Sequence, residues 1–374
     1  MAQRPDNNNK LAHWLALVRT PHLGPQGVQR LLERCGNPIA IFDAAARPGE
    51  LPERVRTALT RFDRSGVDQD LRWAEQPAHH LITLDDARYP ALLKELKDPP
   101  PVLFVQGEPA CLSHPQVAVV GSRNPSPAGL DNARAFSREL ARQGLAITSG
   151  LAVGIDGAAH AGALAGGGIT LAVIGTGPDR IYPSAHRELA EAIARQGALV
   201  SEFPLGTPPR PAHFPRRNRL ISGLSLGTLV VEASPQSGSL ITARLAAEQG
   251  RDVFAIPGSI HNPLARGCHA LIRQGAKLIE SAEDIVGELG SIAQFVRNAA
   301  AAAPRSDAAQ AAAIPHQDLL DCMGYEPVPL DLVVERSGLT AERVSSILLE
   351  LELHGLVAAA PGGFYSRLEP ETSK

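Results

Sequence analysis

Residues Phe214 to Arg219 read F-P-R-R-N-R, which puts three arginines, a ring and an amide within a few positions of a 374-residue chain. Guanidinium groups beside an aromatic face suit two tasks. They can clamp an anion, or they can hold a nucleic-acid strand by its phosphates while a base stacks on the ring. Between Phe203 and Arg251 stand six arginines (Arg210, Arg216, Arg217, Arg219, Arg244, Arg251) against Glu232 and Glu248, a local balance of +4 in a chain that totals −3. Two further segments offer donors. Gly121-Ser122-Arg123 precedes a helix expected to start near Pro127, and Ser237-Gly238-Ser239 opens another, where unpaired N–H groups hold anions. Asp156 and His160 lie one helical turn apart and could serve as an acid/base pair or as two metal ligands. The plainer reading is preferred, with Asp156 as a helix N-cap and His160 packed on a sheet, because no other ligand cluster lies nearby.

Stepping outward, these segments sit in a regular alternation. The stretches QVAVVGS, GLAITSG, ITLAVIGTG, GALVSE, GTLVVEAS, RDVFAIPG and AKLIE read as strands, each ending in or near a glycine or a small or acidic residue, with amphipathic helices between them. Continuous apolar strands separated by helices predict a mostly parallel sheet covered on both faces, an α/β Rossmann-like doubly wound domain. Ligands in such sheets bind at the carboxyl ends of the strands, which is where all three donor segments fall. VVGSRNPSPAG is not a G-x-G-x-x-G fingerprint, and the second strand ends in Thr148-Ser149-Gly150 rather than in an acid for a ribose. A dinucleotide is therefore excluded and no cofactor is expected. The third loop, with Asp179, Arg180 and Tyr182, is expected to shape the rim of the cleft.

Domain boundaries are expected at 1–80, 81–295, 296–315 and 316–374. The first is helical, of helix-hairpin-helix or SAM-like type, with a turn at Leu23-Gly24-Pro25 before an amphipathic helix carrying Val28, Leu31 and Leu32. The second is the Rossmann-like domain with a lead-in segment. The third, alanine-rich and bounded by prolines, is a linker. The last has the order of a winged helix-turn-helix, yet from His316 to Leu368 it carries three arginines and eight acids. A recognition helix so charged would repel phosphate, so this module is expected to meet protein. Four scattered cysteines form no C-x-x-C pair, and neither disulfides nor a metal site are expected. No apolar run reaches the length of a membrane span, and the N-terminus lacks the apolar core of a secretory signal, so a cytoplasmic protein without membrane insertion is expected.

In order along the chain, VAVVGSRNPSPAG, ITSGLAVGIDGAAHAGAL, LAVIGTGPDRIYPSAHRELA, SEFPLGTPPRPAHFPRRNRLISGLS, LVVEASPQSGSLITARLAAEQGRDVFAIPGS and NPLARGCHALIRQGA closely resemble the bacterial DNA processing protein A (DprA/Smf) family. The resemblance implies a non-catalytic protein that binds and protects single-stranded DNA, loads the RecA recombinase in natural transformation and recombination, and dimerises through the Rossmann-like domain. It implies a basic strand pocket to which Gly121, Ser122, Arg123, Phe214, Arg216, Arg217, Asn218 and Arg219 contribute. Ser237, Gly238 and Ser239 join that list on their own chemistry. A helix starting near Pro215 puts Arg216 and Arg219 on one face and Arg217 about 100° away. The three cannot share one phosphate track, and one of them is expected to pair with Glu202 or Glu232 instead. Two rivals stand beside this reading. A nucleotide phosphoribohydrolase would need a P-G-G-x-G-T-x-x-E loop where this chain has SPQSGSLITA, without the glycine doublet or the acid. A transcription regulator would bind through the acidic winged helix.

Overall fold

The computed structural model describes residues 4–290 and, towards the C-terminus, 319, 323, 328–353, 357–360 and 364–367. Two compact units, Met1–Ala303 and Pro304–Lys374, make up the chain. The expected linker at 296–315 lies outside the described residues.

Five helices open the first unit: α1 (Arg4–Val18), α2 (Pro25–Cys35), α3 (Pro38–Ala46), α4 (Glu53–Thr60) and α5 (Arg64–Ala74). Proline begins α2 and α3, where its missing N–H costs nothing. Asn37 and Asp63 cap α3 and α5 by accepting from Ala40 N and Gly66 N, each at 2.9 Å. The helices bury Trp14, Leu15, Leu17, Ile41, Leu59 and Trp73, and the same cluster runs on into Leu81, Val102 and Phe104 of the strands that follow. Trp73 stacks on His79 with centroids 4.3 Å apart. Arg19, in the turn after α1, holds Asp70 of α5 through two hydrogen bonds of 2.6 and 2.7 Å, with Asp70 fully buried.

The sheet follows, with β1 (His79–Thr83), the short α6 (Ala91–Lys94), β2 (Val102–Gly107), β3 (Gln116–Val120), α7 (Pro127–Arg142), β4 (Ala146–Ser149), α8 (Ile155–Ala165) and β5 (Thr170–Val173). Then come α9 (Arg187–Gln196), β6 (Ala198–Ser201), α10 (His213–Leu224), β7 (Gly227–Val230), α11 (Ser239–Glu248), β8 (Asp252–Ala255), α12 (Arg266–Arg273), β9 (Lys277–Leu278) and α13 (Ala282–Glu288). Strand order is β1-β2-β6-β5-β4-β3-β7-β8-β9. All seven strands read from the sequence run parallel, Val117 pairing with Ile147 on one side and Gly227 on the other. The lead-in segment adds β1 and β2, antiparallel to each other, with β2 also antiparallel to β6. Residues of β3 to β7 are buried throughout, as strands covered on both faces must be. Val117, Val119, Ile147 and Leu229 pack under α7, α8 and α13. Ala118, Val120, Val173 and Val230 pack under α6, α10, α11 and α12. The chain runs outward from β3 through β4 and β5 to β6 and then returns through α10 to β7 on the other side of β3, so the order reverses between β3 and β7 and opens a crevice there.

The second unit holds α14 (Leu330–Ser337), α15 (Ala341–Leu353) and a sheet in the order β10 (Val328–Pro329), β12 (Phe364–Arg367), β11 (Val357–Ala360), all antiparallel. Gly338 ends α14 in the left-handed region at φ 65°, and Val333, Val344, Leu348, Leu351 and Val357 form its core. This is a winged helix-turn-helix. For the first unit, Asp70→Ala should cost about 2 kcal/mol, because it leaves the nearly buried Arg19 guanidinium with only Asp63 Oδ2 at 3.0 Å and Leu205 O at 3.3 Å. Urea unfolding of the full chain against wild type measures this, and a loss below about 0.5 kcal/mol would contradict it.

Candidate nucleic-acid interface

At the crevice the chain leaves β3 through Gly121-Ser122-Arg123-Asn124 and leaves β7 through Glu232 and Ser234, framing a cavity of about 630 Å³. Only glycine fits at position 121, since a Cβ there would lie 2.6 Å from Ile155 Cγ1. The two exits are tied together: Ser122 N donates to Glu232 O at 2.7 Å, and Ile155 N donates to Ser122 O at 3.1 Å. The Glu232 carboxylate accepts from Ser126 N (2.9 Å), Ser126 Oγ (2.6 Å) and Asn262 Nδ2 (3.4 Å). Ser126 in turn caps α7 through Gly129 N at 3.0 Å. Glu232 is thus committed to holding the start of α7.

Helix α10 presents Phe214, Arg217, Asn218 and Ile221 to the cavity, the i, i+3, i+4, i+7 stripe of one helix face. Arg217 is only 3% exposed. Its Nη1 donates to Gly150 O at 2.5 Å and to Val173 O, the carbonyls at the ends of β4 and β5, while Nε has no partner among the described residues. Position 150 must be glycine, because a Cβ there would stand 2.4 Å from Arg217 Nη1. Burial lowers the Arg217 pKa to about 10, against the opposing pull of Asp156. Asp156 lines the same cavity and accepts from Gly150 N (3.1 Å) and Ala152 N (3.3 Å). Burial raises its carboxyl above the usual range, while Arg217 and these N–H groups work the other way.

Above this buried pair stands a more open layer. The exposed Arg123 guanidinium lies 5.5 Å from the Phe214 ring centroid, and that of Arg217 lies 6.0 Å away. Tyr182 approaches the same ring at 5.7 Å. Across the cavity Ser237 and Ser239 share a 2.7 Å hydrogen bond at the start of α11, and Asn218 Nδ2 reaches Gly238 O at 3.5 Å. The positive end of α11 therefore faces the same space as both arginines.

Gly121, Ser122, Arg123, Phe214, Arg217, Asn218, Ser237, Gly238 and Ser239 are brought together here. Arg216 and Arg219 are not. They share a face, as the spacing requires, but it is turned to Glu202: Arg216 Nη2 and Arg219 Nη2 reach Glu202 Oε2 at 2.7 and 2.9 Å. Arg219 Nε also bonds Asp98 Oδ2 at 2.9 Å, and the Arg216 guanidinium lies over Phe203 at 5.0 Å. The arginine expected to point away is thus the one in the cavity. Acids beneath the other face decide this, one of them from a distant loop. That face is further set by the proline-rich loop before α10, where Pro204, Pro208, Pro209 and Pro211 leave few N–H groups. Two that remain are taken by carboxylates, Leu205 N by Asp70 at 3.3 Å and Gly206 N by Asp179 at 2.9 Å.

Asp156 does not cap α8. Gly154 occupies that position, and Asp156 reaches back to the preceding loop. His160 is fully buried away from it, with Nδ1 2.7 Å from Thr170 Oγ1. Since the Thr170 hydroxyl donates to Ile147 O at 2.7 Å, it must accept from His160 Nδ1–H, leaving Nε2 bare. The two side chains are no acid/base pair. Among the described residues no group of three or more His, Cys, Asp or Glu could hold a metal ion, and no helix is long and apolar enough to cross a membrane.

Sheet order and the crevice at the point of reversal define a Rossmann-like α/β protein. The chain belongs to the DNA processing protein A (DprA/Smf) family: the model of DNA recombination-mediator protein A matches residues 80–290 and that of the DprA winged helix domain matches 301–363. Protein Smf of Escherichia coli K12 is 45% identical over 94% of both chains. The X-ray structure of DNA processing protein A from Streptococcus pneumoniae, 37% identical, covers 74% of this chain and 97% of its own at a TM-score of 0.65. A Helicobacter pylori DNA processing protein A, solved for its single-stranded DNA binding mode, is 31% identical over 56% of this chain and 95% of its own, with a TM-score of 0.51.

Burial drives the His160 pKa down to about 3 from an ordinary 6.5, so the folded protein refuses a proton that the unfolded chain accepts. The stability this histidine contributes is complete above pH 6.5 and is lost as pH falls from there towards 3. Urea unfolding at pH 7 and pH 5 should show a drop of up to about 2 kcal/mol from this group. His160→Asn should lessen the pH dependence, and an unchanged slope would refute the assignment.

Proposed function

We propose that this protein binds single-stranded DNA in the cavity between β3 and β7, protects the strand, and loads the RecA recombinase onto it in natural transformation and recombination. One observation carries the strand reading: the Phe214 ring stands within 6.0 Å of both the Arg123 and the Arg217 guanidiniums, lining a cavity that the positive end of α11 also lines. Arginines contact phosphates in any sequence, and a ring stacks any base whose face is exposed, as single strands allow. In this reading Arg123, exposed and without an ion pair among the described residues, makes the outer phosphate contact. Arg217 supplies fixed positive charge at the floor, and Ser237 to Ser239 offer donors. The strand reading also fits the Helicobacter pylori relative, which is described as binding single-stranded DNA.

Binding without turnover is the better account of the acids. Asp156 accepts from two N–H groups of the loop after β4, and Glu232 from Ser126 and Asn262, so both carboxylates already serve to hold the loops around the cavity. RecA loading, a homodimer through the Rossmann-like domain and a cytoplasmic site of action belong to the same proposal, and family membership is what supports them. The acidic winged helix is assigned to a protein partner.

Titration of oligothymidylate binding against salt tests the strand reading. Arg123→Ala should weaken binding and reduce the log–log salt slope by about one. Phe214→Ala should weaken it with little change in slope, since stacking releases no counterions. Arg219→Ala should instead lower the urea midpoint, its loss leaving Asp98 and buried Glu202 short of a partner. Wild-type affinity in both Arg123→Ala and Phe214→Ala would remove the cavity as the strand site.

A further inference from the structure

We propose that the bound strand does not end in the crevice but continues across Tyr182 into a second, smaller nucleotide subsite formed by Arg180, Tyr182, Arg187 and Pro209. The inference rests on the single-strand reading above. Tyr182 lines both the crevice and an adjoining cavity of about 310 Å³, which those residues border with Asp179 and Ile181. The ring is a shared wall between the two.

Its exposure is the first sign of a ligand. Tyr182 is 49% exposed, while Phe214 beside it is half-buried. The rings are tilted by 41° at a centroid distance of 5.7 Å, so they touch without covering each other, and Tyr182 keeps a broad face towards solvent.

Charge is the second sign. Arg187 is exposed, stands at the first position of α9 and forms no ion pair among the described residues, so its charge adds to that of the helix N-terminus. Arg180 is also exposed, and its partner is the adjacent Asp179 at 3.4 Å. Asp179 carries the one carboxylate bordering this cavity, and its other oxygen is engaged by Gly206 N at 2.9 Å. Two guanidiniums against one committed carboxylate leave the subsite positive. A small anion would need only the arginines. The solvent-facing ring, continuous with a cavity already read as a base-stacking site, points to the next nucleotide of the same strand.

A ladder of oligothymidylates, from a trinucleotide upward, separates this subsite from the crevice in the full-length protein. Because Tyr182 borders both cavities, Tyr182→Ala should weaken the shortest ligands less than long ones. It should weaken long ones by about tenfold, the scale of one lost base stack. Tyr182→Phe should restore long-ligand affinity, and Arg187→Ala should lower the salt slope by about one for long ligands only. Photocrosslinking with a single 5-iododeoxyuridine moved along the strand should label Tyr182 from a position displaced from the one that labels Phe214. If Tyr182→Ala and Arg187→Ala bind every length as wild type does while Arg123→Ala is weakened, the subsite is overturned and the crevice reading stands. If Arg123→Ala and Phe214→Ala also bind as wild type, both fall.

Discussion

The buried guanidinium of Arg217 is the constraint on which the interface depends. A charge of this kind is seldom found inside a protein unless paired and hydrogen-bonded. Here its Nη1 bonds the carbonyls that end β4 and β5, and the buried Asp156 carboxylate opposes part of the effect of burial. Because one side chain from α10 reaches the ends of two strands, the helix cannot rotate without breaking those bonds. The orientation of Phe214 and Asn218 follows. So does the need for glycine at position 150, where any side chain would occupy the space of the guanidinium.

Around that centre the acids are distributed so that none is left to oppose an incoming anion at the mouth. Glu202 is drawn to the back of α10 by Arg216 and Arg219, Glu232 to the start of α7, and Asp156 to the loop after β4. Each carboxylate carries out a structural task that also removes it from the rim. The positive character of the crevice thus depends as much on where the acids are held as on where the arginines point.

Much of this was legible in the sequence, for identifiable reasons. Buried parallel strands appear as unbroken apolar runs, and chain direction sends every loop after such a strand to one end of the sheet. Gly121 to Arg123, Phe214 to Arg219 and Ser237 to Ser239 could therefore be placed near one another without coordinates. The lead-in strands β1 and β2 were not resolved, being antiparallel and separated by a proline-rich segment, and so the packing of the N-terminal helices against them went unseen. The facing of α10 was beyond reach as well. Helical spacing relates Arg216 to Arg219 but does not say which face meets the cavity. The deciding Asp98 lies 121 residues before Arg219. Glu202 is one of the two partners the sequence offers, and in the structure it serves two of the arginines at once.

The proline-rich loop before α10 extends the same logic to the unfolded chain. Pro204, Pro208, Pro209 and Pro211 restrict that segment before any contact forms, since each fixes its own φ and biases the residue before it. A segment with few conformations to lose can be ordered by very few bonds. Two carboxylates, Asp70 from the helical region and Asp179 from the loop after β5, are enough to fix where the helix begins. Folding of the N-terminal helices thus contributes to the geometry of a site that none of them lines, through an entropy already surrendered in the denatured state.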